Sequence, residues 1–235
     1  MKTKPRILVI EDETAIRTGL TDVLIYHGYD VEDAADGTTG LERARSGKFD
    51  LILLDIMLPG INGFDICNAI REVDPIQPII MLTARTSDED IVHGLKLGAD
   101  DYVAKPFSIE QLMLRVAAVL RRTRLPDVLQ IILQSKAHRL LIDTLNLTGQ
   151  AGSNTLTFTR REMDILIYLH QHNDRPVPRD ELLSEVWGYA RGIDIETRTV
   201  DIHIAKLRRK LEPNPKEPDY LLTVRGAGYR LMSES

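Results

Sequence analysis

The chain is short of several things. Among its 235 residues there is one cysteine, Cys67, so no disulfide can close within it and no cysteine-based zinc site is expected. Such sparing cysteine use fits a reducing compartment. No apolar run approaches the roughly 20 residues of a membrane helix. The N-terminal apolar patch spans only residues 7–10 before the acids Glu11 and Asp12, well below the about 7–15 residues of a signal-peptide core. No G-x-G-x-x-G follows an apolar run, which removes the dinucleotide fingerprint. Internal repeats and low-complexity segments are also missing. A soluble, cytoplasmic protein with no membrane partner is expected. Apolar residues make up 43%, enough for ordinary packed cores, and the length suits one or two domains.

Charge is unevenly spread. Residues 1–122 hold 14 Lys and Arg against 20 Asp and Glu, residues 128–235 hold 15 against 14, and the linker 123–127 adds one of each, which together give the net −5. An acidic front and a more basic back suggest a division of labour.

The two halves also differ in grammar. In the first, short apolar runs at 6–10, 29–34, 50–55, 78–83 and 101–104 alternate with amphipathic stretches at 14–27, 37–46, 63–73, 88–97 and 109–122. Five strands alternating with five helices indicate an α/β domain with a parallel sheet. Runs such as LVI and LILL are apolar throughout, as in strands covered on both faces. The expected fold is a flavodoxin-like, doubly wound domain over residues 1–122. The charged linker RRTRLPD ends at Asp127. After it come strand-like QIIL and RLLID, a helix opened by Thr159 and Glu162 at capping-box spacing, a second helix near 179–187, a third near 198–211, and an alternating segment around Gly226 and Gly228. Three helices and a terminal hairpin form a winged-helix pattern, expected over residues 128–235.

One stretch poses a chemical question. LILLDIMLPG, residues 51–60, ends a buried-looking strand on a lone carboxylate, Asp55. A buried charge is costly unless paired or metal-bound. Glu11 and Asp12 follow the first strand, Thr83 ends the fourth, and Lys105 follows the fifth. In a doubly wound parallel sheet all these strand ends line one edge. Three converging carboxylates suit a hard cation such as Mg²⁺. An Asp in that setting can accept a phosphoryl group, with Lys105 and Thr83 beside the transferred charge. Taken singly, an acid pair after a strand is an ordinary helix start and Lys-Pro an ordinary turn. Five matched strand ends are hard to assign to chance.

ILVIEDE, LILLDIMLPGINGFD, IIMLTA and GADDYVAKPF resemble the receiver domain of two-component response regulators, over about residues 5–122. The resemblance implies that Asp55 takes phosphate from a sensor histidine kinase. It implies that Glu11, Asp12, Asp55 and the backbone carbonyl of Met57 bind Mg²⁺, and that Thr83 and Tyr102 form a switch that moves toward the new charge.

The second motif is ETRTVDIHIAKLRRKLE, residues 196–212. Val200, Ile204, Leu207 and Leu211 make one apolar stripe, and residues 198–211 hold five Lys and Arg against one acid, Asp201. A basic run alone is an ordinary solvated face. As the third helix of a winged pattern it reads as a recognition helix for a DNA major groove. With LLTVRGAGYRL it is similar to the winged-helix output domain of the OmpR/PhoB family. That similarity implies backbone contacts from Arg198, Thr199, His203, Arg208, Thr223 and Tyr229. Ile202, Ala205 and Lys206 would face bases, and Arg225 would reach the adjacent minor groove. Ala205 can touch a thymine methyl but cannot make a bidentate base contact. Trp187 reads as a packing residue. The loop before the third helix is one that can touch RNA polymerase in the family.

The family dimerises through the segment 88–97, the fifth strand and the fifth helix. Asp100 and Asp101 match positions that pair with Arg122 and Arg115 across a two-fold; the plainer alternative is intramolecular or solvated pairs, since surface pairs are individually weak. A further family ion pair is replaced here by Ile91 and Gln111. The expected function is a phosphorylation-gated, DNA-binding transcription regulator that acts as a homodimer on tandem promoter half-sites. It is not expected to be an enzyme beyond slow self-dephosphorylation. Two other classes compete with this reading. A constitutive DNA binder could keep the receiver as a dimer scaffold. An aspartyl-phosphate hydrolase would place D-x-D after its first strand, and this chain does not.

Overall fold

In the computed structural model, described for residues 4–83, 97–121, 128–134, 139–152, 154–188 and 198–234, the chain divides into two compact units, residues 1–121 and 122–235. The first has the strand order β2-β1-β3-β4-β5, with β1 at Arg6–Ile10, β2 at Asp30–Ala34, β3 at Leu51–Asp55, β4 at Ile79–Thr83 and β5 at Asp101–Ala104. All neighbours are parallel. This is the flavodoxin-like order.

The apolar runs explain the layering. Every residue of β3 and β4 is buried, because each strand has helices on both sides. Ile7, Val9, Leu51, Leu53, Ile80 and Leu82 share one core with Leu20 and Leu24 of α1 (Thr14–Tyr26) and Val116 of α4 (Ile109–Arg121). The opposite face takes α2 (Gly37–Ser46) and α3 (Gly63–Val73). There Gly40 lets a helix approach the sheet, since a Cβ at that position would lie 2.5 Å from the Ile10 side chain. Cys67, on α3, is fully buried. Asp36 and Asn62 cap α2 and α3 by accepting from the backbone N–H of Thr39 and Asp65. The expected helix at 88–97 lies outside the described residues except for Leu97.

The second unit opens with a four-stranded antiparallel sheet, β6 (Gln130–Gln134), β7 (Arg139–Asp143), β8 (Thr148–Ala151) and β9 (Asn154–Thr157). The sequence marks β6 and β7. The last two strands, TGQA and NTLT, carry almost no apolar residues, so no alternating pattern reveals them. The capping box is present: Thr159 accepts from the Glu162 N–H, and Glu162 accepts from the Thr159 N–H, at the start of α5 (Arg160–Gln171). Then come α6 (Arg179–Trp187), α7 (Arg198–Leu211) and the hairpin of β10 (Leu221–Val224) and β11 (Gly228–Leu231). Val200, Ile204, Leu207 and Leu211 of α7 all enter the core, together with Trp187.

Candidate functional site

Parallel strands deliver their carboxyl ends to one edge, and the loops there are tied down by backbone hydrogen bonds. Glu11 N–H donates to the Ala34 carbonyl at 3.0 Å, Ile56 N–H to Leu82 at 3.1 Å, and Lys105 N–H to Thr83 at 2.6 Å. The β3–β4 register sets Asp55 opposite Leu82, so Thr83 stands one residue further along the same edge. One carboxylate oxygen each from Glu11, Asp12 and Asp55 lies within 4.8 Å of the other two. Glu11 and Asp55 are buried while Asp12 is exposed, so the cluster opens to solvent on one side.

Lys105 closes the site. Its Nζ lies 2.7 Å from Glu11 Oε2 and 2.9 Å from Asp55 Oδ2, and the Lys105–Pro106 peptide is cis. Burial raises the Glu11 pKa, the hydrogen bond from Lys105 partly offsets this, and the Asp55 charge adds to the rise. Burial also works against the Lys105 cation, but hydrogen bonds and charge from Glu11 and Asp55 outweigh it and hold that pKa above its ordinary value. Three carboxylates and one ammonium leave an excess of about two negative charges when all are ionised. An all-oxygen donor set with excess negative charge fits a hard divalent cation. Met57 stands two residues past Asp55, and its N–H lies 3.3 Å from Asp55 Oδ1.

Thr83 is fully buried, and Tyr102 is 7% exposed with its carbonyl accepting from Arg115 Nη1 at 2.8 Å. Asp100 and Asp101 are engaged within the chain. Asp100 Oδ2 accepts from the Ile79 N–H at 2.9 Å and from Arg71 Nη2 at 3.2 Å. Asp101 lies 3.7 Å from Arg115. Both acids therefore have a partner within their own chain, Asp100 in Arg71 and Asp101 in Arg115. Arg122 and Ile91 lie outside the described residues.

On the second unit the expected DNA-contacting residues divide by burial. Ala205, Thr223 and Arg225 are exposed, and Ile202, Lys206 and Arg208 are partly so. Arg208 Nη2 donates to Thr223 Oγ1 at 2.7 Å. The Arg198 side chain is outside what is described, and Thr199 is buried. The expected backbone contact from His203 would start from a buried ring. This residue is 1% exposed, meets the Thr199 carbonyl at 2.9 Å and sits edge-on to Trp187 with ring centroids 5.2 Å apart. Its place three residues after Val200 and four before Leu207 sets it beside the apolar stripe. Tyr229, 4% exposed, donates to Asp201 Oδ1 at 2.5 Å, so only its margin reaches the surface. The sequence did not single out Arg179. Its guanidinium lies over the Tyr229 ring at 4.8 Å and its Nε donates to Asp201 at 2.7 Å. No local pattern signals a contact spanning three elements.

Residues 7–117 match the response regulator receiver domain, and residues 153–231 match the C-terminal domain of transcriptional regulatory proteins. The alkaline phosphatase synthesis transcriptional regulatory protein PhoP of Bacillus subtilis is 41% identical over 232 residues, 96% of each chain. The chain is a response regulator of the OmpR/PhoB family. The DNA-binding response regulator MtrA of Mycobacterium tuberculosis is 40% identical, over 97% of this regulator and 96% of MtrA. Among solved structures, a mutant of RitR superposes with a TM-score of 0.72 at 30% identity, over 98% of this chain and all of that one. DrrB, described as a Thermotoga maritima OmpR/PhoB homologue, gives 0.53 at 29%, over 98% of this chain and all of that one. The regulator thus joins a receiver to a DNA-binding domain, and it works as a phosphorylation-dependent transcription regulator rather than as an enzyme. No helix among the described residues is long and apolar enough to cross a membrane.

Proposed function

We propose that Asp55 is the phosphoacceptor of this regulator and that Glu11, Asp12, Asp55 and the Met57 carbonyl hold Mg²⁺. The observation that carries this is the Lys105 ammonium seated on Glu11 and Asp55 at 2.7–2.9 Å beside a three-carboxylate cluster. Mg²⁺ would supply positive charge between the carboxylates and the incoming phosphoryl oxygens. The chain's own groups do the rest. An Asp55 oxygen forms the bond to phosphorus as the P–N bond of the donor phosphohistidine breaks. Lys105 stays within reach of the acquired charge, and the Thr83 hydroxyl donates to a phosphoryl oxygen as Tyr102 packs behind it. The only chemistry of its own would be slow hydrolysis of the acyl phosphate.

The partners follow from this cycle: a sensor histidine kinase, a second copy of the regulator, and promoter DNA with tandem half-sites, all met in the cytoplasm. RNA polymerase is a further partner through the loop before α7. Ile202, Ala205 and Lys206 would meet bases, while Arg208 and Thr223 meet the backbone, where contacts position the protein without reading sequence, and Arg225 reaches the neighbouring minor groove. Dimerisation makes binding bivalent and raises affinity through effective concentration. The test is intact mass after incubation with a small phosphodonor and Mg²⁺. Wild type should gain one phosphoryl group and Asp55→Ala none. A gain in both would mean another acceptor.

A further inference from the structure

Arg17 is another largely buried cation near the acidic cluster, and the phosphoacceptor chemistry makes no use of it. It lies one turn into α1 with its side chain 14% exposed. Its Nη1 donates to the Glu11 carbonyl at 2.8 Å and to the Asp12 carbonyl at 3.0 Å. Its Nε donates to Asp33 Oδ2 at 3.0 Å, on the neighbouring strand β2. Asp33 in turn presents its own carbonyl to Arg43 of α2. One planar fork therefore gathers the backbone of both acids that follow β1 and fastens it to β2.

The placement has a physical purpose. Glu11 is already held at its N–H by Ala34, and Arg17 holds its carbonyl, so that residue is fixed on both sides. Asp12 is exposed and starts the turn into α1. Glu13 precedes that helix with no side-chain cap, so the usual device for setting the first turn is missing. A guanidinium offers rigidly spaced donors that can span two carbonyls and a carboxylate together, whereas an ammonium is a point charge that cannot hold all three.

We infer that Arg17 is a positioning residue for the acidic pocket, setting its affinity for a divalent cation through the carbonyls of Glu11 and Asp12. This rests on the reading of Glu11 and Asp12 as cation ligands. Groups that orient ligands typically govern metal affinity by about 10–100-fold, although they never touch the ion.

The test is Mg²⁺ binding by calorimetry on the full chain, with thermal melting in the absence of Mg²⁺ as a second readout. Four variants serve: Arg17→Lys, Arg17→Met, Asp33→Asn and Asp12→Ala. The expected result is a Kd raised about 10-fold or more for Arg17→Lys, whose retained charge and aliphatic stem preserve the fold. Arg17→Met should be weaker still. Asp33→Asn keeps an amide oxygen for Arg17 Nε but removes the charge of the anchor, and it leaves the fork on the two carbonyls, so it should shift the melt more than the Kd. A purely structural Arg17 would move the melt and leave the Kd of folded Arg17→Lys at the wild-type value, which would overturn the inference. Failure of the pocket reading looks different: wild type would take no Mg²⁺, or Asp12→Ala would bind as wild type does.

Discussion

At the scale of single residues, burial decides which acids and bases matter. Lys105 is the cation that bridges two buried carboxylates. Its replacement by methionine would leave Glu11 and Asp55 facing each other without that compensation, a serious cost for buried charge. We expect Lys105→Met to fold, to keep or tighten Mg²⁺ binding in proportion to the lost cation, and to become phosphorylated at Asp55 at least tenfold more slowly. Calorimetry and intact mass measured side by side check this. Tyr229 gives a pH prediction. Burial, with the hydrogen bond to Asp201, pushes its pKa up to about 12, against about 10 in an unfolded chain. The neutral phenol is the form that the fold favours. Its contribution is therefore complete below about pH 10 and is lost as pH rises through about 12. Ultraviolet titration of wild type minus Tyr229→Phe should show this late phenol, and Asp201→Asn should bring it down. Arg225, exposed at the turn of the hairpin, should act from the minor groove. Alanine there is expected to weaken DNA binding most where the flanking minor groove is narrow and A·T-rich, and to reduce the salt slope by about 1.

At the scale of elements, the sequence punctuates well where a cap or an apolar stripe carries the signal. Thr159 and Glu162 open α5 as their spacing indicates, and Thr159→Ala should cost about 0.5–2 kcal/mol, read from the denaturant midpoint of the second unit. Close backbone approach is the other device. A Cβ on Gly63 would lie 2.2 Å from the Asp55 carbonyl oxygen, and backbone cannot yield as a flexible side chain can. Gly63→Ala should therefore shift the turn that carries the acceptor, lowering stability and slowing phosphorylation together. A phosphorylation rate equal to wild type, in a chain that melts normally, would remove that role. Polar strands are the opposite case. TGQA and NTLT become β8 and β9 only because β7 offers an edge for hydrogen bonding.

At the scale of the whole molecule, function depends on linking two units that each fold around their own core. If phosphorylation acts by pairing receivers, tandem half-sites should gain affinity on phosphorylation and an isolated half-site should not. Equal gains on both would point to a change within one DNA-binding domain instead. With Ile91 and Gln111 in place of one family ion pair, the dimer should be less sensitive to salt than dimers with the full set. Sedimentation of the phosphorylated regulator across a salt series checks this, with steep dissociation the contrary result.

Much was settled by sequence alone. Fully apolar runs ending in Glu11, Asp55 and Thr83 announce central parallel strands with a reactive edge, because only strands covered on both faces can be apolar throughout. The stripe from Val200 to Leu211 likewise announces a core-facing helix with its basic residues turned out. Tertiary structure alone decided what depends on distance between remote segments. It brought Lys105 onto Glu11 and Asp55. It laid Arg17 across two carbonyls. It engaged Asp100 and Asp101 inside their own chain, and it sent His203 inward against Trp187. Periodicity fixes the face on which a side chain starts. Whether a side chain at the margin of that face ends in solvent or in the core depends on what packs over it, and that neighbour is set by the fold.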